Sequence, residues 1–394
     1  MLLAVSASLA QSPIPPGAKL ERVATGFLQA EGPVWYNGPG LRSAVDSSVL
    51  FSDIAGNKIY QYSPATGRCT TFLNPSDSSN GMTFDREGRL VFCQMELRRV
   101  ARMDSDGAII PLAETFRGKK FNSPNDIIVK SDGAIFFTDP PFNIPYGQKQ
   151  ELPFSGIYRI SPGGAVQLLD STLSLPNGIC FSPDESKLYV NDSHACLIYE
   201  WDVVDDSLLE NKRLFATIKA SGYADGMKVD SAGDVFSAGP LGVWVFDKNG
   251  NCLDTILIPE STSNLNWGDP DRKTLYITTR SSLYRIRLAD ATDIKFDGSN
   301  LLNPTFQLFP NFPNPFNPIT NIAYRIANIG LVSLKVYDVL GREVATLVNR
   351  VQEPGKYEVH FDGSRLASGV YFYRLNAGQY WNSHKMILLK RVPS

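Results

Sequence analysis

Asn177-Gly-Ile-Cys-Phe181 begins a stretch of three apolar runs, and the other two are Lys187-Leu-Tyr-Val-Asn191 and Ala195-Cys-Leu-Ile-Tyr-Glu-Trp201. Between the first two runs lies Pro183-Asp-Glu-Ser186, which has the composition of a turn. Short aromatic and branched runs separated by polar turns are typical of β-hairpins. The stretch therefore predicts three consecutive antiparallel strands.

The opening phrase of this stretch recurs along the chain, and its first residue is always Glu, Asn or Asp. Successive copies are 39 (225 to 264) to 52 (125 to 177) residues apart. A period of this size indicates a repeat architecture. The six copies are Glu31-Gly-Pro-Val-Trp35, Asn80-Gly-Met-Thr-Phe84, Asn125-Asp-Ile-Ile-Val129, Asn177-Gly-Ile-Cys-Phe181, Asp225-Gly-Met-Lys-Val229 and Asn264-Leu-Asn-Trp267.

The repeated unit predicts an all-β fold, because hairpins follow each phrase and no comparable segment has a helical period. Hairpins that repeat without helices are typical of a β-propeller, and six units predict six blades. Leu20-Glu-Arg-Val-Ala24 is expected to close the ring beside Leu283-Tyr-Arg-Ile-Arg-Leu288. The alternative is an open stack of hairpins, which would leave two sheet edges exposed.

The repeats end near Ala289, and a second domain is predicted after them. Phe309-Pro-Asn-Phe-Pro-Asn-Pro-Phe-Asn-Pro318 is too rich in proline for a helix or an interior strand. Short alternating strands follow it and predict a small immunoglobulin-like β-sandwich. We therefore expect a propeller over residues 19–290, a linker over 291–308 and a sandwich over 309–394.

The N-terminal residues 1–18 are expected to form a signal peptide and leader. Met1-Leu-Leu-Ala-Val-Ser-Ala-Ser-Leu-Ala10 is apolar and ends in small residues, as a secretory signal does. No basic residue precedes the apolar run, and the alternative is a terminal tail without a targeting role.

The composition of the chain excludes several classes of function. The 394 residues are 43% hydrophobic and 20% charged, with a formal net charge of −2. Without a basic run, nothing indicates a nucleic-acid partner. No apolar stretch has the roughly 18 residues that a transmembrane helix needs.

Closing the ring would gather the six opening side chains at one mouth of the central channel. Two carboxylates with amide oxygens, and no Cys or His, favour a hard divalent cation such as Ca²⁺. The alternative is that Asn and Asp before Gly are ordinary turn residues. Nucleophilic catalysis by a Ser-His-Asp triad is disfavoured, because His194 is expected to be a turn or rim residue and no G-x-S-x-G phrase lies near it.

Residues 31–288 resemble the gluconolactonase / senescence-marker-protein / luciferin-regenerating-enzyme-like family of six-bladed propellers. The matching phrases include Phe121-Asn-Ser-Pro-Asn-Asp-Ile-Ile-Val-Lys-Ser-Asp-Gly133, Phe137-Thr-Asp-Pro-Pro-Phe142, Pro176-Asn-Gly178 and Ala224-Asp-Gly-Met-Lys-Val-Asp230. The resemblance implies hydrolysis of a sugar lactone with a divalent metal ion, for which Ca²⁺ is favoured and Zn²⁺, Mn²⁺ or Mg²⁺ are alternatives.

The resemblance also assigns roles to particular residues. It implies Glu31, Asn177 and Asp225 as metal ligands and Asn125 as a contact to substrate or to a water on the metal. Asp225 is expected to be the general base as well. Three aspartates are expected to orient these groups, although two of them, at the ends of second strands, are equally explained as turn residues: Asp126, Asp139 and Asp192.

One segment departs from the family. Relatives often carry a Glu-His-Gly-Asn-like run where this chain has Gln94-Met95-Glu96-Leu97. We expect Asn80 and Glu96 to line the substrate pocket there, with a wall unlike that of the relatives. A non-catalytic propeller that binds calcium or another ligand is the alternative function.

The C-terminal region resembles the type A sorting domain of the type IX secretion system of Bacteroidota-like bacteria. The matching phrases include Pro313-Asn-Pro-Phe-Asn-Pro318, Val336-Tyr-Asp-Val-Leu-Gly-Arg-Glu-Val344 and Leu366-Ala-Ser-Gly-Val-Tyr-Phe-Tyr373. The resemblance implies that residues 309–394 engage the type IX machinery. It places the protein outside a Gram-negative cell or on its surface, reached through the periplasm. A carbohydrate-binding sandwich is the alternative.

Overall fold

The computed structural model describes residues 12–37, 41, 47–205, 207–288, 307–309, 311, 313–326, 330–353, 355–377 and 380–390. In this part of the chain every regular element is a β-strand, and no helix is present. Contacts between residues divide the chain into two compact units, Met1–Ile294 and Lys295–Ser394. The all-β prediction is confirmed.

The described residues of the first unit form six four-stranded antiparallel sheets. Its first strand, β1 (Glu21–Thr25), joins the last sheet, and the other sheets each take four consecutive strands. The first two sheets are β2 (Ala30–Tyr36), β3 (Ser48–Asp53), β4 (Lys58–Ser63) and β5 (Arg68–Leu73), then β6 (Ser79–Phe84), β7 (Leu90–Gln94), β8 (Arg99–Met103) and β9 (Ile109–Ala113).

A separate hairpin of two short strands, β10 (Thr115–Phe116) and β11 (Lys119–Lys120), precedes the third sheet. The third and fourth sheets are β12 (Ile127–Val129), β13 (Ile135–Asp139), β14 (Gly156–Ile160) and β15 (Val166–Asp170), then β16 (Pro176–Phe181), β17 (Lys187–Asp192), β18 (Leu197–Val204) and β19 (Leu208–Thr217).

The last two sheets complete the unit. They are β20 (Met227–Val229), β21 (Val235–Gly239), β22 (Gly242–Phe246) and β23 (Cys252–Leu257), then β24 (Thr262–Gly268), β25 (Thr274–Thr279) and β26 (Ser282–Arg287) with β1.

The sheets form a closed ring. The first strands of the sheets contact one another in the order β2, β6, β12, β16, β20 and β24, and β24 contacts β2 again. β1 pairs with β26, with Glu21 opposite Arg285 and Thr25 opposite Ser282. The propeller and its predicted closing strand are confirmed, and the open stack of hairpins is excluded.

The burial of each strand follows from its place in the ring. The second strands β3, β7, β13, β21 and β25 are buried along their whole length. A strand covered on both faces by neighbouring sheets reads as a continuous apolar run, as Leu90-Val-Phe-Cys93 does. The outermost strands, such as β5, have exposed residues.

The second unit has two sheets that share one core. The first sheet contains β27 (Gln307–Leu308), β28 (Ile319–Ile326) and β31 (Gly355–Asp362), and the second contains β29 (Gly330–Tyr337), β30 (Glu343–Gln352), β32 (Gly369–Ala377) and β33 (Tyr380–Leu388). The sandwich prediction is confirmed.

The structure describes part of the predicted signal peptide and leader and part of the predicted linker. The signal peptide and leader were predicted over residues 1–18, of which 1–11 lie outside the described residues, whereas Ile14 and Ala18 pack against the propeller core. The linker predicted over 291–308 is outside the described residues as far as 306, but its last two residues form β27. Leu308 is buried in the sandwich core, so the linker ends earlier than predicted.

No helix in the described part of the chain has the length and apolar character that crossing a membrane requires.

Candidate active site

Four of the six opening residues lie at irregularities of the first strands, whereas Asn125 and Asp225 lie just before β12 and β20. In β2 the pairing shifts between Glu31 and Val34, and in β16 it shifts between Pro176 and Ile179. A β-bulge inserts extra backbone into one strand and re-aims its side chains. Because of the bulges, the side chains of Glu31 and Asn177 do not follow the alternation of side chains along the rest of their strands.

The glycine of the phrase allows neighbouring first strands to approach each other closely. A Cβ on Gly178 would overlap the carbonyl oxygen of Asp225, and a Cβ on Gly226 would overlap the side chain of Asn264. Successive opening residues are thus brought together by the residue that follows them. This contact explains why glycine recurs in the phrase.

Four of the six opening residues come together on one side of the ring, which we call the carboxylate side: Glu31, Asn177, Asp225 and Asn264. The side chain of Asn177 hydrogen bonds to Asp225, and that of Asn264 hydrogen bonds to Glu31. Glu31 Oε2 also accepts the Gly32 N–H at 2.7 Å. The three predicted metal ligands are therefore neighbours.

The two carboxylates of this side disfavour each other's charge. Burial raises the pKa of Glu31 to about 7, and repulsion from Asp126 adds to the shift. Burial also raises the pKa of Asp225 well above its usual value, with repulsion from Glu31 and Asp126 adding to it. Without a cation, this cluster holds protons near neutral pH.

The oxygen atoms of this region fit a hard divalent cation. Oδ1 of Asn177 is buried and has no hydrogen-bond partner among the described residues. Carboxylates and unpartnered amide oxygens are the ligands that Ca²⁺ prefers. Among the described residues, no group of three or more His, Cys, Asp or Glu side chains is placed to hold a metal ion, so amides would have to contribute to such a site.

Lys228 is a charged neighbour of the carboxylate side that was not predicted from the sequence. Its Nζ lies 3.9 Å from Asp126 Oδ2, and Asp126 is only 2% exposed. Asp126 Oδ1 accepts the Ile127 N–H at 2.9 Å. The ammonium lowers the pKa of Glu31. The one signal in the sequence was a lysine inside the apolar run Met227-Lys-Val229.

The second and third sheets contribute the amide side, which comprises Asn80, Met95 and Asn125. Asn80 is buried and its Nδ2 lies 3.4 Å from Met95 Sδ. The Asn125 backbone carbonyl accepts the Gly81 N–H at 2.8 Å. Glu96, which was predicted to line the same pocket, is exposed in the turn between β7 and β8.

The aspartates at the ends of second strands hold backbone segments. Asp139 accepts the Asn122 and Ser123 N–H groups at 2.8 and 2.7 Å, and burial raises its pKa to about 7. Asp192 accepts the Ser174 N–H at 2.8 Å in the same manner. Both therefore fix the segment that leads into an opening phrase, whereas Asp126 lies beside the carboxylates themselves.

His194 lies where the sequence placed it. It is exposed in the turn before β18, and its ring stacks on Tyr223 with the centroids 5.4 Å apart. His194 is not one of the residues of the carboxylate side.

Residues 29–281 match the family described as the SMP-30/Gluconolactonase/LRE-like region. The chain belongs to this family. Gluconolactonase from Zymomonas mobilis is 30% identical over 298 residues, which cover 68% of this chain and 81% of that protein. The predicted family membership is confirmed.

Solved structures agree with this assignment. A gluconolactonase from Xanthomonas campestris, XC5397, is 33% identical with a TM-score of 0.64, covering 69% of this chain and 90% of that one. The calcium-binding protein regucalcin from Agrobacterium tumefaciens has a TM-score of 0.57 and 21% identity, covering 71% of this chain and 97% of that one. The second likeness shows the fold alone.

The C-terminal unit matches a different family. Residues 311–389 match the secretion system C-terminal sorting domain. The predicted sorting domain is therefore confirmed.

Proposed function

We propose that the propeller is a hydrolase that opens a sugar lactone with the help of a bound divalent cation. The observation that carries the proposal is the convergence of Glu31, Asn177 and Asp225, from three different sheets, on one side of the ring. The similarity to two gluconolactonases gives the reaction class.

Glu31, Asn177 and Asp225 would hold the cation. Two negative charges balance a divalent ion, and the unpartnered Oδ1 of Asn177 supplies a neutral oxygen. When bound, the ion polarises the lactone carbonyl and stabilises the negative charge that develops on its oxygen. Ca²⁺ fits an all-oxygen set better than a soft transition metal does.

Asp225 is the proposed general base. With the cation bound Asp225 would be ionised, and an ionised carboxylate beside the attacking water can accept its proton. It takes a proton from the attacking water as that water forms a bond to the carbonyl carbon. The ester bond to the ring oxygen then breaks, and the proton passes to that oxygen to leave a hydroxy acid.

The amide side is the proposed place for the sugar hydroxyl groups. Asn125 follows a segment that Asp139 fixes, so its position is defined before a substrate binds. Oδ1 of Asn80 is an unused acceptor for a hydroxyl group. Glu96 is exposed and would contact only a substrate that extends out of the ring.

The proposal is tested by following acid release from aldonolactones in a pH-stat. We expect hydrolysis that EDTA abolishes and that Ca²⁺, Zn²⁺ or Mn²⁺ restores. If the protein binds one of these ions and yet hydrolyses no aldonolactone, the hydrolase proposal is wrong and a non-catalytic binding propeller takes its place.

We also propose that residues 309–394 direct export through the type IX secretion machinery, by way of the periplasm, to the cell surface or the medium. The match of residues 311–389 to a sorting domain supports this. Deleting residues 309–394 should leave the propeller in the periplasm of a type IX-competent host, as cell fractionation would detect. Export of the shortened chain would contradict the proposal.

A further inference from the structure

Arg98 is a buried cation for which the proposed reaction has no use. It lies at the end of the turn between β7 and β8, its φ is 57° and its side chain is 1% exposed. A left-handed backbone conformation is unfavourable for a residue with a side chain, and burying a guanidinium costs free energy unless it is paired. Both costs are offset only if Arg98 makes several good contacts.

The guanidinium makes those contacts with two separate segments of the chain. Its Nε donates to the carbonyl oxygens of Phe121 and Asn122 at 2.6 and 3.2 Å. Its Nη1 donates to Gln148 Oε1 at 3.1 Å and to the Lys149 carbonyl oxygen at 3.2 Å. A planar donor group that bonds to fixed carbonyl oxygens sets the distance between their segments.

The first of these segments leads directly to Asn125. Asp139 holds the N–H groups of Asn122 and Ser123, while Arg98 holds the carbonyl oxygens of Phe121 and Asn122. The segment is therefore held by the Asp139 carboxyl group on its N–H groups and by the Arg98 guanidinium on its carbonyl oxygens. Both groups therefore add to the hold on Asn125, whose own N–H donates to the Thr138 carbonyl oxygen at 2.8 Å.

The second segment is the long connection 140–155 between β13 and β14. The corresponding connections in the other sheets are short and run over 54–57, 95–98, 193–196, 240–241 and 280–281. Its Asn143 Nδ2 lies 3.8 Å from Met95 Sδ, the atom that Asn80 Nδ2 also contacts. This connection therefore reaches the amide side, and Arg98 attaches it there.

We propose that Arg98 is a positioning residue that fixes the connection 140–155 and the segment before Asn125 against each other. It thereby sets the size of lactone that the amide side accepts. The part of this inference that concerns lactones rests on the proposed function, whereas the part that concerns the connection does not.

The activity-independent test is limited proteolysis at Lys149, which is exposed on the connection. Trypsin should cut after Lys149 at least about tenfold faster in Arg98→Met than in the wild type, because local opening becomes easier. Arg102→Met is the matched control, since Arg102 bonds to Asp104 on the same hairpin and reaches neither segment. Gln148→Ala removes only the hydrogen bond between Arg98 Nη1 and the Gln148 side chain. It should therefore increase the cleavage rate less than Arg98→Met does, with the fold intact.

The kinetic test compares an aldonolactone of one sugar with an aldonolactone of two sugars. Arg98→Met should lower kcat/KM for the smaller lactone by about tenfold or more, mainly through KM, and should bring the two substrates closer in kcat/KM. Arg98→Lys keeps the positive charge but loses the planar guanidinium group, so its kcat/KM should lie between that of the wild type and that of Arg98→Met. Binding of Ca²⁺ should be unchanged in all of these variants.

Equal cleavage at Lys149 in the wild type, Arg98→Met and Gln148→Ala would overturn the proposal. So would an unchanged preference between the two lactones in Arg98→Met. If no lactone is hydrolysed by the wild type, the proposed function fails, while the cleavage rates still decide whether Arg98 holds the connection.

Discussion

The carboxylate side and the amide side of the ring are built in different ways. Adjacent opening phrases touch directly around the ring, through Gly178 and Gly226 on the carboxylate side and through Gly32 and Gly81 beside Asn80 and Asn125. On the carboxylate side, each side chain belongs to an opening phrase. On the amide side, the opening side chains also meet Met95 and the connection 140–155, which is longer than the corresponding connection of each other sheet. Arg98 holds that connection from the turn position that Asn57 and Cys196 occupy in the first and fourth sheets.

This difference separates what the two sides can do. A cation needs a fixed set of oxygen atoms, and closely packed strands supply it with little freedom. A substrate pocket varies between relatives, and connections held by side chains such as Arg98 can vary without disturbing the strands. We therefore expect changes on the carboxylate side to remove activity and changes on the amide side to alter preference.

The largest expected effect is that of Asp225→Asn. Removing the proposed base should lower kcat by about 10²–10⁴-fold even when metal is present at saturation. The measurement is the lactone hydrolysis rate across a metal titration, with metal content determined on the same sample.

Asn177→Ala is the control for Asp225→Asn, because it removes a proposed ligand but no proposed base. Its activity should return at high metal concentration, whereas that of Asp225→Asn should not. Full activity of metal-loaded Asp225→Asn would remove Asp225 from the mechanism.

Gly178→Ala tests the contact between neighbouring phrases. Its Cβ would overlap the Asp225 carbonyl oxygen, so the two strands must separate. We expect a loss of about 1–3 kcal/mol in the free energy of unfolding, as in other overpacked sites, together with weaker metal binding. Denaturant titration and metal titration measure the two effects.

The control for Gly178→Ala is Gly163→Ala, at an exposed turn of the same unit where the nearest atom to a new Cβ is 3.9 Å away. This substitution should change neither stability nor metal binding. An equal and small effect of both substitutions would mean that the close approach at Gly178 is not required.

The sequence predicted the carboxylate side better than the amide side, and the reason is physical. A phrase that repeats with a fixed period occupies equivalent places in the ring, so its members meet wherever they lie in the chain. Arg98, Lys228 and Met95 act through contacts that tertiary packing makes at one place in the ring, and no periodicity reports such contacts. Asn264 lacks a following glycine, yet its side chain bonds to Glu31. As the last copy, it packs against Gly226 of the preceding phrase.

Metal binding should depend strongly on pH. The pKa of Glu31 is raised from 4.5 to about 7, so this group holds a proton below neutral pH, and burial raises the pKa of Asp225 as well. Because the cation must displace these protons, its dissociation constant should increase about tenfold or more for each pH unit below 7. Calorimetric titration with Ca²⁺ between pH 5.5 and 8, as an order-of-magnitude window around that pKa, measures the slope.

The stability of the metal-free protein should show the opposite slope. An acid whose pKa is raised by folding binds more protons in the folded state, so stability is lost as pH rises from about 4.5 toward 7. With saturating metal this loss should disappear. If the stabilities of the metal-free and metal-loaded proteins changed with pH in the same way, Glu31 and Asp225 would not share a cation.

The smallest expected effect is that of Lys228→Met, which tests whether charge inside the ring tunes the carboxylate side. Lys228 lies 3.9 Å from Asp126 and lowers the pKa of Glu31. Without the ammonium, Glu31 should hold its proton to a higher pH, and the midpoint of pH-dependent metal binding should move upward by a fraction of a pH unit, because the ammonium acts on Glu31 less than burial and Asp126 do. Lys228→Arg keeps the charge and should keep the midpoint. An unmoved midpoint in Lys228→Met would mean that the ammonium balances Asp126 alone, and that the carboxylate side is tuned only by burial and by repulsion between Glu31 and Asp225.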